Sequence, residues 1–409
     1  MSIMPNVAVV GTCDTKLEAL TFIKETICAS GKCNAILIDI GSYDPSNSSQ
    51  IDITRHELLK PTLHDVDDRS SRISALEVMT TALTETLSRL YAQRAIDGVI
   101  GAGGSGNTSV CAKAFRDVFP IGFPKLVVST MASGNTAHYV GETDITMMYS
   151  VADVAGMNPI LESVLRNAAH AIAGMAVDSY ARRSHTSSSA PAIAITMFGL
   201  TTPCVQMATE KLEDLGYSVV VFHANGAGGM SMERLIWENN FVGVLDITTT
   251  ELADELVGGV LTAGPNRLTA AAKAGIPQVV SVGALDMVNF GPASSVPEEF
   301  SGRCFNHHNA SITLMRTTRD ECAKLGEIIA DKLSVASPEK TRVVLPLRGF
   351  SGIDVEGGPF RDEEADIALL DALRSGRIGC PVMEVDANIN DPSFALAAVT
   401  ALEEMLESR

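Results

Sequence analysis

The chain has 409 residues and a formal net charge of −18, from 31 Lys and Arg against 49 Asp and Glu; so acidic a balance argues against a nucleic-acid-binding surface, which needs clustered cations. At roughly 150 residues per domain the length predicts two or three domains, and 46% apolar with 20% charged residues excludes wholesale disorder. Aromatics at 5% beside 33 glycines favour packed aliphatic strands and tight turns over a base-stacking surface.

In chain order, Met1 to Lys16 lacks a basic segment and runs straight into a strand-like stretch, so no signal peptide is expected. No run of 18 apolar residues suggests a membrane span. Strands are predicted at 7–10, 35–39, 98–100, 125–129 and 145–149, with helices near 16–29, 70–95, 107–118 and 158–182. These strands are continuous apolar runs, which suits a parallel sheet covered on both faces. A polar, serine-rich stretch at 182–191 reads as an exposed linker. The alternation then resumes, with strands at 192–196, 218–222, 242–246, 278–282, 342–345 and 382–385. Helices fit near 203–215, 230–239, 316–334, 363–375 and 392–407. The prediction is an α/β protein of two Rossmann-like doubly wound domains with mainly parallel sheets, at 1–185 and 191–409.

The eight cysteines contain no C-x-x-C pair and no zinc spacing. Cys28 and Cys111 fall within helical apolar patterns and read as buried reduced thiols. Cys13, in a strand-to-helix turn, reads as a small packing residue, against the alternative of a thiol activated by a helix dipole. A soluble, cytoplasmic protein without membrane or nucleic-acid partners is the expectation.

Ligands of open parallel sheets sit at the carboxyl ends of strands, where helix N-termini offer unpaired N–H groups. After the third strand, Gly101-Ala-Gly103-Gly104-Ser105-Gly106 satisfies G-x-G-x-x-G and reads as a phosphate-holding loop in preference to a tight turn. No acidic strand end follows about 20 residues on, which counts against a dinucleotide. After the first strand, Gly11-Thr12-Cys13-Asp14-Thr15-Lys16 offers a helix cap at Asp14 or Thr15. The functional alternative gives Asp14 a Mg²⁺ or ribose contact and Lys16 a phosphate. No G-x-x-x-x-G-K-[ST] occurs, so this is not a P-loop NTPase. Thr130, Ser133 and Gly134 after the fourth strand, with Asp153 and Gly156 after the fifth, add hydroxyl- and glycine-rich turns to the same edge.

The second half repeats the device in His223-Ala-Asn225-Gly226-Ala-Gly228-Gly229. His223 and His308 have acid–base capacity near neutral pH. Arg267 and Arg316 offer bidentate clamps for a carboxylate or phosphate, against the commoner role of an ion pair. His307 and His308 are adjacent and cannot share a helix face as H-E-x-x-H histidines do, so a hydrogen-bonded structural role is favoured over metal ligation. His223, His308, Arg267 and Asp286 are the catalytic candidates, and no metal-ligating set is expected.

Taken together, GTCDTK at 11–16, GAGGSGNTS at 101–109, VVSTMASGNT at 127–136 and SVADVAGMN at 150–158 resemble the UPF0261 or Tm-1-like ATP-binding domain family. Gly264-Pro-Asn-Arg267 and the stretch from His308 to Arg316 fit it too, so the resemblance covers essentially the whole chain. It implies two Rossmann-like domains, a homodimer or higher homo-oligomer, and ATP with Mg²⁺ in the first domain. The implied ATP contacts are Gly11, Thr12, Asp14 and Lys16; Gly103, Gly104, Ser105 and Gly106; Thr130, Ser133 and Gly134; and Asp153 or Gly156. The expected function is therefore ATP binding, with a small anionic metabolite bound in the second domain or between the two. The alternatives are an enzyme acting on a carbonyl or carboxylate metabolite with a His acid–base, and a nucleotide-gated interaction module without turnover.

Overall fold

The chain divides into two units, Met1–Ser187 and Ser188–Arg409. The computed structural model describes residues 4–45, 47–60, 72–183, 190–376 and 378–408.

In the first unit the order is β1 (Asn6–Gly11), α1 (Cys13–Ala29), β2 (Asn34–Asp39), α2 (Arg55–Leu59), α3 (Arg72–Ala92), β3 (Gly98–Gly103), α4 (Ser105–Val118), β4 (Lys125–Ser129), α5 (Ala137–Val140), β5 (Thr146–Tyr149) and α6 (Pro159–Arg182). The five strands lie β2-β1-β3-β4-β5, all parallel. Side chains alternate across the pleat. Ala8, Val10, Val99 and Val127 pack under α3 and α4, while Val7, Val9, Ile100 and Leu126 pack under α1 and α6. Both faces are thus apolar, which is why the strands run as unbroken hydrophobic stretches. Pro159 begins α6, and Asn158 caps it by accepting from the amides of Ile160 and Leu161.

The second unit runs β6 (Ala192–Met197), α7 (Thr202–Asp214), β7 (Ser218–His223), α8 (Ala227–Trp237), β8 (Gly243–Thr248), α9 (Glu251–Val257), α10 (Ala270–Ala274), β9 (Gln278–Gly283), β10 (Met287–Phe290), β11 (Phe305–Asn309), β12 (Ile312–Arg316), α11 (Arg319–Leu333), β13 (Thr341–Pro346), α12 (Glu363–Ser375), β14 (Val382–Val385) and α13 (Pro392–Glu407). Its six-stranded parallel sheet has the order β14-β13-β9-β8-β6-β7. Helices α7 and α13 cover one face, and α8 to α12 cover the other. The expected class, two mainly parallel doubly wound sheets, is what the chain forms.

Three features depart from the expectation. A three-stranded antiparallel sheet, β10-β12-β11, is added to the second unit; β11 is exposed over His307, His308 and Asn309 and has no apolar alternation to betray it. Helices α2, α5, α9 and α10 are too short for a helical period to emerge. Cys28 is exposed, whereas Cys111 is buried as expected, and all eight cysteines are free. Residues 184–189 of the expected linker, and 70–71 of the helix expected near 70–95, lie outside the described residues. No helix of the described residues is long and apolar enough to cross a membrane.

Candidate functional site

From β1 the sheet of the first unit grows outward to β2 on one side and to β3 on the other. Connections that diverge this way leave a crevice at the carboxyl ends of the two central strands. A cavity of about 390 Å³ opens there, within the range of small-molecule sites. The turn after β1 contributes Thr12 and Lys16, the turn after β2 Gly41 and Ser42, and the start of α4 Gly104, Ser105, Gly106 and Asn107. Arg55 of α2 closes one side, and apolar residues of α2, α3 and α4 form the rest.

The glycines of the loop after β3 fall into two kinds. A Cβ at Gly101 would lie 2.8 Å from the Cys111 Sγ, and one at Gly103 would lie 2.8 Å from the Asn107 Cβ; these two let α4 seat closely on β3. Gly104 and Gly106 have no such reason. A Cβ at Gly104 would meet only the Thr130 Oγ1, at 3.9 Å, and one at Gly106 only Leu76, at 4.0 Å. Gly104 has an ordinary φ of −87° and is the N-cap of α4 without a side-chain cap. The first amides of a 14-residue helix therefore face the cavity uncovered, where the helix dipole favours an anion.

Asn107 is 5% exposed, and neither its Oδ1 nor its Nδ2 has a hydrogen-bond partner among the described residues. The Cys111 thiol lies beside it, and burial pushes that thiol up, so it stays protonated. The carboxamide packs against Gly103, where a Cβ would lie 3.1 Å from its Nδ2, so it belongs to the seam between β3 and α4 and not to the open part of the cavity.

Two cations border the cavity. Lys16 interrupts the helical geometry of α1 (φ −132°, ψ 18°) and donates from Nζ to the Val154 carbonyl at 2.7 Å. Arg55 keeps a buried Nε with no hydrogen-bond partner among the described residues and stands 4.0 Å from Asp44. Asp14 builds the wall rather than lining it, accepting from the amides of Ser42 at 2.8 Å and Tyr43 at 3.1 Å. Asp39, at the end of β2, likewise accepts from Cys13 and Gly41. Burial, reinforced by Asp39, pushes the Cys13 thiol up, so Cys13 is a packing residue and not an activated nucleophile.

Of the expected nucleotide contacts, Thr12, Lys16, Gly104, Ser105 and Gly106 thus line one cavity. Gly11 is buried against Leu20 and Gly103 against Asn107. Thr130 flanks Gly104, its amide donating to the Gly103 carbonyl at 3.3 Å. Ser133, Gly134, Asp153 and Gly156 are exposed on turns outside the lining. The turn after β5 reaches the site only through the Val154 carbonyl held by Lys16. Sequence reasoning missed Arg55, Asn107 and the Gly41-Ser42 turn. The readable signal for Arg55 was the capping box from Thr54 to Glu57, which opens α2.

In the second unit the look-alike loop is filled by the protein itself. The Glu251 carboxylate, fully buried, accepts from the amides of Gly226 at 2.8 Å and Gly229 at 3.1 Å. A Cβ at Gly229 would sit 2.4 Å from that carboxylate, and one at Gly228 only 1.9 Å from the His223 carbonyl oxygen. Arg267, expected as a ligand clamp, is 1% exposed. Its donors go to Glu251, Asp246, Glu233 and the Thr248 carbonyl. All five N–H groups of a guanidinium are thereby used, which corrects the clamp reading. Burial alone would push Arg267 down, but Asp246 and Glu251 outweigh it and hold it above its ordinary value. Arg316 is engaged in the same way by Asp366, Thr317 and the Phe360 carbonyl.

Asp286 is fully buried and accepts from the Ser351 hydroxyl at 2.8 Å; burial pushes its carboxyl up against the opposing Arg316 charge. His223 is exposed at the end of β7, its ring stacked on Phe198 at 5.4 Å between centroids. His308 sits exposed where the pairing of β11 with β12 shifts register, in the antiparallel sheet and not at a parallel strand end. Among the described residues no group of three or more His, Cys, Asp or Glu side chains could hold a metal ion.

Fold and site together define an α/β protein of two doubly wound units, the first with a small-molecule cavity at its topological switch point. The chain belongs to the UPF0261 family: the N-terminal domain of that uncharacterised protein family matches residues 5–181, and its C-terminal domain matches 190–406. A UPF0261 protein of Clostridium tetani is 45% identical over 98% of this chain and 99% of its own, and one of Mesorhizobium japonicum is 42% identical over the same shares. The ToMV resistance protein Tm-1(GCR237) of Solanum lycopersicum is 39% identical over 98% of this chain and 56% of its own length. Among solved structures, a UDP-GlcNAc 2-epimerase of Neisseria meningitidis aligns over 68% of this chain and 82% of that one, at 10% identity. Its TM-score of 0.23 is too low to carry an argument.

Proposed function

We propose that the first unit binds a nucleoside polyphosphate, ATP carrying its Mg²⁺, in the cavity between the turns after β1, β2 and β3. One observation carries this reading: the uncovered amides at Gly104–Gly106 open onto the same cavity as Lys16 and Arg55. Such a set suits an elongated anion, because backbone N–H groups and a helix N-terminus take phosphate oxygens while the cations neutralise them. The apolar remainder of the wall suits a base. Mg²⁺ is proposed to enter on the phosphates. In the second unit the groups expected to hold an anionic metabolite hold the protein's own carboxylates, so the proposal rests on the first unit alone. Isothermal titration of the folded protein with Mg·ATP tests it: saturable heat at micromolar to millimolar nucleotide is expected, and its absence would sink the reading.

A further inference from the structure

Two cations, Lys16 and Arg55, and no carboxylate stand among the described residues that line the cavity, in a chain with 49 acidic side chains against 31 basic ones. The acids around it are spent elsewhere. In dinucleotide-binding sheets an acidic side chain beyond the phosphate turn takes the ribose hydroxyls, and Asp39, which ends β2 beside β1, holds that place. Its Oδ1 accepts from the amides of Cys13 at 3.0 Å and Gly41 at 2.8 Å, and its Oδ2 is shut off from solvent. Asp14 holds the amides of Ser42 and Tyr43, and Asp44 meets His56 at 2.8 Å outside the lining. The wall on the other elements is aliphatic, with Ile40, Leu59, Leu76, Val78, Met79 and Val110, while Asn107 keeps its carboxamide in the seam with β3. Such a surface takes the face of any base by area alone and has no donor or acceptor to tell an amine from a carbonyl. What can pair with a ligand is the Gly104–Gly106 amides, the two cations and the hydroxyls of Thr12 and Ser42, a donor-rich set that suits phosphate oxygens.

We propose, resting on the nucleotide reading, that this site selects its ligand by the polyphosphate and reads neither base nor sugar. It takes purine nucleoside triphosphates as a class, ribo and deoxy alike, and ATP fills it through its abundance and not through an adenine contact. The amides and cations fix the phosphates, and the aliphatic compartment adds affinity without discrimination.

The experiment is isothermal titration of the full-length protein with the magnesium complexes of ATP, dATP and GTP, and with AMP. The three triphosphates are expected to bind within about fivefold of one another, where a carboxylate on the ribose or a polar reader of the base would separate them by more than about tenfold. AMP keeps adenine and ribose but loses two phosphates, and is expected to bind at least about tenfold more weakly than ATP. Lys16→Met is expected to weaken ATP, dATP and GTP by a common factor, and the wild-type ratios carry the test alone should that variant misfold. A difference of more than about fivefold between any two triphosphates, AMP held within about tenfold of ATP, or losses in Lys16→Met that differ by more than about fivefold among the three, overturns the assignment while nucleotide binding stands. If wild type binds none of the four, the nucleotide reading falls and this inference falls with it.

Discussion

Arg267 and Asp246 meet fork on fork, the Arg267 Nη1 2.6 Å from Oδ2 and its Nη2 2.7 Å from Oδ1, with both side chains buried in the second unit. Glu251 takes the remaining edge at 2.5 Å and couples the pair to the glycine loop that opens α8. A buried pair of this kind is costly to break, because the Arg267 N–H groups that faced Asp246 are left shut off from water, Glu251 and Glu233 holding only the others. Asp246→Ala is therefore expected to destabilise the second unit by about 3–5 kcal/mol, read as a lowered denaturation midpoint. An unchanged midpoint would mean the pair is not closed to solvent.

The two kinds of glycine after β3 separate under substitution. Gly103→Ala forces a Cβ to within 2.8 Å of the Asn107 Cβ and should cost about 1–3 kcal/mol through overpacking. Gly104→Asp meets open space and puts a favoured N-cap residue on α4, so stability should hold within about 1 kcal/mol while Mg·ATP affinity collapses. Titration and melting on both variants make the comparison, and ATP bound normally by Gly104→Asp would move the site elsewhere.

Lys16→Met and Arg55→Met remove the two cations on the cavity wall. Each is expected to weaken Mg·ATP binding by about 5- to 150-fold, the scale of a charge-assisted hydrogen bond of about 1–3 kcal/mol. The wild-type affinity should also fall with added salt more steeply than that of either variant. Parallel salt dependences would show that these charges face away from the ligand.

Acid should stabilise the second unit. Burial, partly opposed by the hydrogen bonds from Asn289, pushes Asp254 up to about 7. Burial and the neighbouring Asp354 push Asp366 up to about 7 against Arg316 and Arg361, while Asp286 and Asp354 are raised by burial. A carboxyl that holds its proton more tightly folded than unfolded gives stability that is complete below pH about 4 and is lost as the pH climbs to about 7. One proton over one pH unit is worth about 1.4 kcal/mol, or about 3–6 °C in a unit of this size. Calorimetry is expected to show the second unit melting at least that much lower at pH 8 than at pH 5, with a shallower slope in Asp366→Asn. A melting temperature that rises over this interval would contradict the buried acid cluster.

Much of the layered architecture was legible because it is local. A strand buried on both faces must be an unbroken apolar run, so 7–10, 98–100, 125–129 and 278–282 announced themselves. The polar strand β11 and the five-residue helix α2 gave no such signal, and α2 carries Arg55, one of the two cations of the site. Asn107 stood inside a motif that was recognised, yet nothing in its neighbours along the chain reveals that both its side-chain atoms are buried and unpaired.

The amino-acid sequence by itself determined the parallel strands, the long helices and the glycine turns, since each follows from the residues within one element. Only the tertiary structure decided which turns share a cavity, because that depends on strand order, a matter of pairings between distant segments. It also decided that two similar glycine loops have opposite fates. Glu251, 22 residues beyond Gly229, occupies the second loop, while Gly104 and Gly106 of the first face open space; whether an amide cradle awaits an anion or already holds one is settled by what the chain folds back upon it.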